Sequence, residues 1–365
     1  MRISVRFYRI IAKVLLVIAI LAAVGVLAFV GLQISGRNKL NSGNKGMVPE
    51  LNLSDLADDP VPPPAASADP SGTTAVVQDN WQEGDVRYQG IHYRYNEDVM
   101  TFLFLGIDKM SEVKPVKNGI DGGQSDAIFL LVLNPHSKEI SMVAIPRDTM
   151  TDIDVYDKEG FFEKTATGQL TLQHGYGDGA TVSCERSQKA VQKLFYNLPI
   201  HGYCSINMGA IPLINDAVGG VELVVLEDVI NTGMKEGDRI LLKGMDAYYY
   251  LHNRDTKSPE SAVRRLERQK QYLELYVAAA MEAMKSDFTL PVTLYNDLRK
   301  YIVTDISLDE ITYLAVEAAG YRFDSDHLYS LKGKTVMGER YEEFYVDEAA
   351  LYELILEVFY EEIED

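Results

Sequence analysis

The sequence predicts an α/β fold, a central mixed β-sheet with helices on both faces, led by one N-terminal transmembrane helix. Three observations predict it. Short apolar runs bounded by Gly, Asn or Pro suit strands buried on both faces of a sheet. Stretches with apolar residues at helical spacing follow and interleave with further strand-like runs, as in sheets covered on both sides. Ahead of them lies Val14 to Leu32, 19 residues without a charge.

That first run would span roughly 28 Å as a helix, close to the hydrocarbon thickness of a bilayer. It is longer than a signal-peptide core and has no small-x-small cleavage pattern just downstream. Arg2, Arg6, Arg9 and Lys13 precede it and hold the N-terminus inside by the positive-inside rule. The expectation is a cytoplasmic tail at 1–13, a transmembrane helix at 14–34 and everything later outside the cell membrane. Residues 35–85, rich in Ser, Asn, Gly, Asp, Ala and Pro, read as a flexible extracytoplasmic linker. Residues 86–365 read as the folded domain.

Within that domain, Met100 to Leu105, Ala127 to Leu133 and Ile140 to Ile145 are apolar runs of strand length. Asn134 to Lys138 supplies a hairpin connection between the second and third. Ser187 to Tyr196 puts Ala190, Val191, Leu194 and Phe195 on one helical face. Met208 to Val218 does so with Ile211, Leu213, Ile214 and Val218, and stops at Gly219-Gly220. Val221 to Val225 reads as a strand. Long helices are expected from Ser261 to Met284, from Leu308 to Ala319 behind a Ser307/Glu310 capping box, and from Asp347 to Tyr360.

Composition narrows the function. The chain carries a formal charge of -19, and its first 40 residues hold six Lys and Arg with no acid, which leaves about -25 on the rest. Nucleic acid is excluded as a partner, because phosphate backbones are bound by basic stripes. Two cysteines are too few for a disulfide scaffold or a four-thiolate zinc site, and only six histidines are present. The acidic C-terminal end, ten Asp and Glu without Lys or Arg from Glu342 onward, reads as a solvated face.

Three features carry chemistry. Asp108 follows the first strand and Asp126 precedes the second, so antiparallel strands would bring both to one sheet edge. Two converging carboxylates suit a Mg²⁺ that also takes substrate phosphates, while Asp beside Gly is equally ordinary turn chemistry. Arg147 in Ile145-Pro-Arg-Asp148 would aim a planar donor fork at an anion or pair with Asp148. At the start of the long helix, Arg264, Arg265, Arg268 and Gln269 follow Arg254. So dense a cationic cluster calls for an anion or for nearby acids such as Glu260 and Glu267. Cys184 and Cys204 could bridge outside the cell or remain two small buried thiols.

Six stretches, in this order, carry a resemblance: FLFLGID, GQSDAIFLLVLNP, SMVAIPRDT, GQLTLQHGYGDG, INDAVGGVELVV, and RLERQKQYL after Tyr250-Leu-His-Asn-Arg254. Over about residues 98–285 the chain resembles the LytR-CpsA-Psr family of membrane-anchored cell-wall enzymes. The resemblance implies a phosphotransferase that moves a glycopolymer, such as a teichoic acid, from an undecaprenyl-pyrophosphate carrier to peptidoglycan with Mg²⁺. A pyrophosphatase side activity belongs to the same expectation. It implies that Asp108 and Asp126 hold the metal and that Asp108, Asp126 and Arg147 are catalytic. Arg147, Arg254, Arg265 and Gln269 would contact the pyrophosphate, with Asp148 orienting Arg147.

Gln124 and His252 stand at pyrophosphate positions where many members have arginine, and a histidine is only partly charged near neutrality. The family's Lys-Ile-Asn motif is replaced by Gln169 to His174, a form that looks like a divergent branch of anaerobic Gram-positive bacteria. The alternative is therefore a non-catalytic polyprenyl-pyrophosphate-binding or wall-assembly scaffold protein. A C55-type lipid would need an apolar trench, for which Phe129, Leu131, Leu194, Phe195, Ile211, Leu213 and Ile214 are candidates.

Overall fold

The computed structural model describes residues 30–43, 47–51, 81–117, 119–120, 122–255, 261–287, 289–323 and 325–363. The expected cytoplasmic tail and most of the expected transmembrane helix lie outside the described residues. Among those described, no helix is long and apolar enough to cross a membrane. Residues 30–43 are a helix, α1. So the described start of the expected linker is ordered and docked on the domain.

After the antiparallel pair β1 (Val86–Tyr88) and β2 (Ile91–Tyr95) come β3 (Met100–Ile107), β4 (Ser125–Asn134) and β5 (Glu139–Ile145). The last three form an antiparallel meander, with the turn after Asn134 closed by Lys138 N–H donating to the Asn134 carbonyl at 3.0 Å. A hairpin of β6 (Met150–Tyr156) and β7 (Phe162–Gln169) follows, then α2 (Thr171–Gly175) and α3 (Thr181–Leu194). β8 (Gly202–Asn207) returns parallel to β3, and α4 (Ile211–Ala217) leads into the hairpin of β9 (Val221–Val224) and β10 (Arg239–Leu242).

Three helices come next: α5 (Met245–His252), α6 (Ser261–Ser286) and α7 (Leu290–Leu298). β11 (Ile302–Thr304) then pairs antiparallel with β8, α8 (Leu308–Ala318) follows, and β12 (Leu328–Ser330) pairs parallel with β5. A third hairpin, β13 (Gly333–Met337) and β14 (Glu342–Val346), precedes α9 (Glu348–Phe359). The last strand, β15 (Tyr360–Ile363), joins β2. The central sheet is therefore six-stranded and mixed, in the order β11-β8-β3-β4-β5-β12.

Alternation along the strands splits the core into two layers. Leu103, Leu105, Ile128, Leu130, Val143 and Ile145 face α3 and α9 and are nearly inaccessible. The opposite face carries Phe129, Met142 and Ala144 against Leu266, Leu273 and Val277 of α6. Phe102 and Leu133 on that face cluster with Leu40 of α1 and Tyr321 after α8. This double burial is why the strands read as continuous apolar runs rather than alternating ones.

Helix ends account for most departures. α3 begins at Thr181, six residues before the apolar stripe suggested, because the Asp178 carboxylate takes the N–H groups of Ala180 and Ser183. Met208–Ala210 is a single 3-10 turn ahead of α4. The Ser307/Glu310 capping box at the start of α8 is formed as expected. Asp347 caps α9 by accepting from Ala350 N–H at 3.1 Å.

Candidate functional site

Strand register builds the site from its floor. β3 and β4 pair in register until Gly106 lies opposite Ala127, and then slip so that Ile107 lies opposite Ser125. Asp126 is the extra residue of that bulge. Bulges re-aim side chains at sheet rims, and this one presents Asp126 at the strand end beside Arg147. Asp108 follows directly on the partner strand, its N–H donating to the Gln124 carbonyl at 3.2 Å. The two aspartates thus flank one irregularity, as expected from antiparallel strands.

Above this edge lies a cavity of about 820 Å³. Its polar wall is Asp126, Arg147, Asp148, Gln169, Arg254, Arg265 and Gln269; Ile128, Phe129, Leu266, Leu331 and Phe344 make it apolar elsewhere. Five of the expected site residues, Asp126, Arg147, Arg254, Arg265 and Gln269, therefore line one space. Asp108, Gln124 and His252 do not line it. They sit beside it, with His252 Nε2 at 3.8 Å from Asp108 Oδ1 and its ring stacked on Tyr248.

Arg147 donates from Nη1 to Asp126 and from Nε to Asp148 Oδ1 at 3.3 Å. Burial opposes its charge, but Asp126 and then Asp148 outweigh that cost and raise the guanidinium pKa above its ordinary value. Asp148 also accepts from Gln169 Nε2 at 3.1 Å, so it fixes the fork's plane. The expected local ion pair with Asp148 is formed, and Arg147 also lines the cavity.

The cationic cluster on α6 divides by helical face. Arg264 and Arg268, at i and i+4, pair with Glu227 at 2.7 and 3.0 Å, an acid other than the two nearest in sequence. Arg265 turns to the cavity instead. It is only 8% exposed and makes no hydrogen bond or ion pair among the described residues. Burial, then the neighbouring Arg254, lowers its pKa, with Asp126 opposing. A buried guanidinium facing an open cavity has the chemistry to take an anion there. Gln269 lines the same wall but spends one amide hydrogen on the Leu251 carbonyl at 3.2 Å.

The apolar trench is a correction. Of the seven candidates only Phe129 lines the cavity. Leu194 and Phe195 belong to the layer under the other sheet face, Ile211 packs with the β9–β10 cluster, and Leu213 is 45% exposed. Helical spacing marks an apolar face without saying which cavity it meets. Reading the sequence also passed over the β13–β14 hairpin, which contributes Thr335, Met337, Arg340, Tyr341, Glu342 and Phe344. Phe344 N–H donates to the Asp148 carbonyl at 2.9 Å and Gln169 Nε2 to the Glu342 carbonyl at 2.8 Å. The local pattern of alternating residues after Gly333 was the available signal.

The divergent Gln169 to His174 stretch runs from the end of β7 into α2. His174 Nδ1 donates to the Gly123 carbonyl at 3.1 Å and Gly122 N–H to the Gly175 carbonyl at 3.3 Å, tying the loop before Asp126 to this segment. Cys184 and Cys204 are free thiols, so the bridge is not formed. Among the described residues no three His, Cys, Asp or Glu side chains converge as a metal cage. A cation at Asp108 and Asp126 would need ligands from a phosphate or water, the ordinary donor set for Mg²⁺.

A LytR_cpsA_psr family profile matches residues 71–355. A teichoic acid transferase of Oceanobacillus iheyensis, polyisoprenyl-teichoic acid–peptidoglycan teichoic acid transferase TagU, is 30% identical over 242 residues, 65% of this chain and 68% of that protein. Its namesake from Enterococcus faecalis is 27% identical over 228 residues, 61% of this chain and 66% of that one. The chain thus spans about two thirds of these relatives' length. Among solved structures, a Streptococcus agalactiae protein superposes with a TM-score of 0.58 at 19% identity, over 71% of this chain and 86% of that one. TagT bound to LI-WTA gives 0.54 at 20% identity, over 72% and 89%. The profile match across most of the folded domain, over the ordered motifs that build the site, leads to one assignment: the chain belongs to the LytR_cpsA_psr family.

Proposed function

We propose that this protein is a teichoic acid–peptidoglycan transferase or a close variant of one, a phosphotransferase that takes its glycopolymer from an undecaprenyl-pyrophosphate carrier. The observation that carries the reading is Arg265, buried and unpaired among the described residues, facing a cavity that Arg147 and Arg254 also line and that is apolar beyond them. An anionic head on an apolar tail fits such a space. The names of the relatives support teichoic acid as the polymer.

In the proposed reaction an acceptor hydroxyl of peptidoglycan attacks the phosphorus that bears the glycan. The bond to the bridging oxygen breaks, polyprenyl phosphate leaves with the electron pair, and the hydroxyl's proton passes by way of solvent to that phosphate. Arg147, Arg254 and Arg265 bind and orient the pyrophosphate and meet the charge that develops on it. Asp148 and Asp126 keep Arg147 in its plane. Mg²⁺ held by Asp108 and Asp126 would supply further neutralisation of the phosphate oxygens. His252, 3.8 Å from Asp108, would orient that carboxylate rather than the ligand.

The uncharged run at 14–32 behind four basic residues supports a single-pass protein of the cell membrane, N-terminus inside. Protease added to intact, wall-stripped cells should then remove the domain. The enzymatic reading is tested by incubating the protein with lipid-linked polymer and peptidoglycan oligomers, with and without Mg²⁺. Metal-dependent transfer that disappears in Asp126→Ala is the expected result. Tight binding of the lipid-linked donor with no transfer under any condition would leave a binding or scaffold protein instead.

A further inference from the structure

We propose that Arg268 is a positioning residue that holds the backbone of residues 250–254 against α6 and thereby aims Arg254 into the cavity. It is 1% exposed, the bulkiest of the fully buried side chains. Its Nη1 donates to the Tyr250 carbonyl and its Nη2 to the Asn253 carbonyl, while Nε pairs with Glu227 at 3.0 Å. Its guanidinium also lies 5.5 Å from the centre of the Tyr250 ring.

The carbonyls it takes are those a helix leaves bare. α5 ends at His252, and the last turn of a helix has no intrahelical donors for its C=O groups. A cation there satisfies them and meets the negative end of the helix dipole. Gln269, the next residue on α6, takes the Leu251 carbonyl between the two. The segment that displays His252 toward Asp108 and Arg254 toward the cavity is therefore stapled to α6 at three carbonyls. The planar fork reaches the two carbonyls from separate nitrogens with Glu227 beside Nε as counter-charge, whereas an ammonium would have to reach both from a single point. Glu227 offsets the buried charge that makes the staple possible.

The inference rests on the cavity being a pyrophosphate site, and the test separates the two. The full chain is titrated with inorganic pyrophosphate as wild type, Arg254→Ala, Arg268→Lys and the double variant, alongside hydrogen exchange of residues 249–254. Arg268→Lys should weaken binding by about tenfold, raise exchange of that segment alone, and add nothing in the Arg254→Ala background. Glu227→Gln, which keeps the fold's shape, should give a smaller change of the same kind. Unchanged exchange in Arg268→Lys, or losses that simply multiply in the double variant, would overturn the positioning role. Wild type that ignores pyrophosphate while the exchange effect persists would instead overturn the reading of the cavity.

Discussion

Arg147 is held between Asp126 and Asp148, and that geometry needs a two-sided donor. Arg147→Lys keeps the charge but not the fork, so pyrophosphate affinity should fall by roughly tenfold or more with little change in thermal stability. Pyrophosphate titration together with a melting curve checks both parts. His174 gives a pH prediction. Burial, with a smaller contribution from Lys109, pushes its pKa down from 6.5 to about 4, against the bonds to Gly123 and Gly122 and the charge of Asp178. Unfolded chains then take up a proton that the folded one refuses, so stability is full above about 6.5 and falls as pH drops toward about 4. His174→Gln should flatten the decline in melting temperature between pH 7 and pH 5; identical slopes would remove His174 from the account. The thiols of Cys184 and Cys204 are both pushed up to about 12 by burial. They should resist alkylation in native protein and appear as two free thiols after denaturation without reductant.

At the scale of elements, α1 makes a checkable claim. A Cβ on Gly36 would lie 2.2 Å from the Asp309 carbonyl oxygen, so α1 and α8 approach as closely as backbones can. Gln33 Nε2 donates to the Thr312 carbonyl at 2.6 Å, Ser35 Oγ to Asp309 Oδ2 at 2.6 Å, and Lys39 Nζ to Asp309 Oδ1 at 2.9 Å. Leu40 is 4% exposed. Gly36→Leu should cost about 1–3 kcal/mol as overpacking or release the helix altogether. Amide exchange across residues 33–43 distinguishes these from the absence of docking, in which wild type and variant would exchange alike. The linker composition of residues 35–85 concealed this helix, because its buried stripe is as narrow as Gln33, Gly36 and Leu40. Polar hairpins were concealed similarly: β7 reads FEKTATGQ, with no apolar alternation to mark it.

For the molecule as a whole, the cationic cavity stands in a chain of net charge -19. Arg147, Arg254 and Arg265 in its wall are partly or largely buried and poorly screened, as are the neighbouring Asp126 and Asp148. Pyrophosphate affinity should therefore survive 0.15 M salt, falling far less steeply than for an exposed basic patch, since exposed charges are screened beyond about 8 Å. Titrations at two ionic strengths measure this; a steep loss would place the binding charges at the surface.

The layering of the molecule was legible in its sequence because burial on both faces leaves continuous apolar strands. The terminus of α8 was legible because a capping box is local chemistry. Asp126, Arg147, Arg254, Arg265 and Gln269 were legible as a set through ordered motifs, and the fold does bring them to one cavity. What tertiary structure alone decided was the direction each side chain takes. Arg264, Arg265 and Arg268 are alike as letters, yet rotation by about 100° per residue sends them to different neighbours. Arg265 meets a cavity, while Arg264 and Arg268 meet Glu227, some forty residues distant in sequence. Leu194 and Phe129 likewise have the same apolar character but lie on opposite sides of one sheet. Residue type determines what a side chain can bind; only packing across long sequence separations determines what it faces.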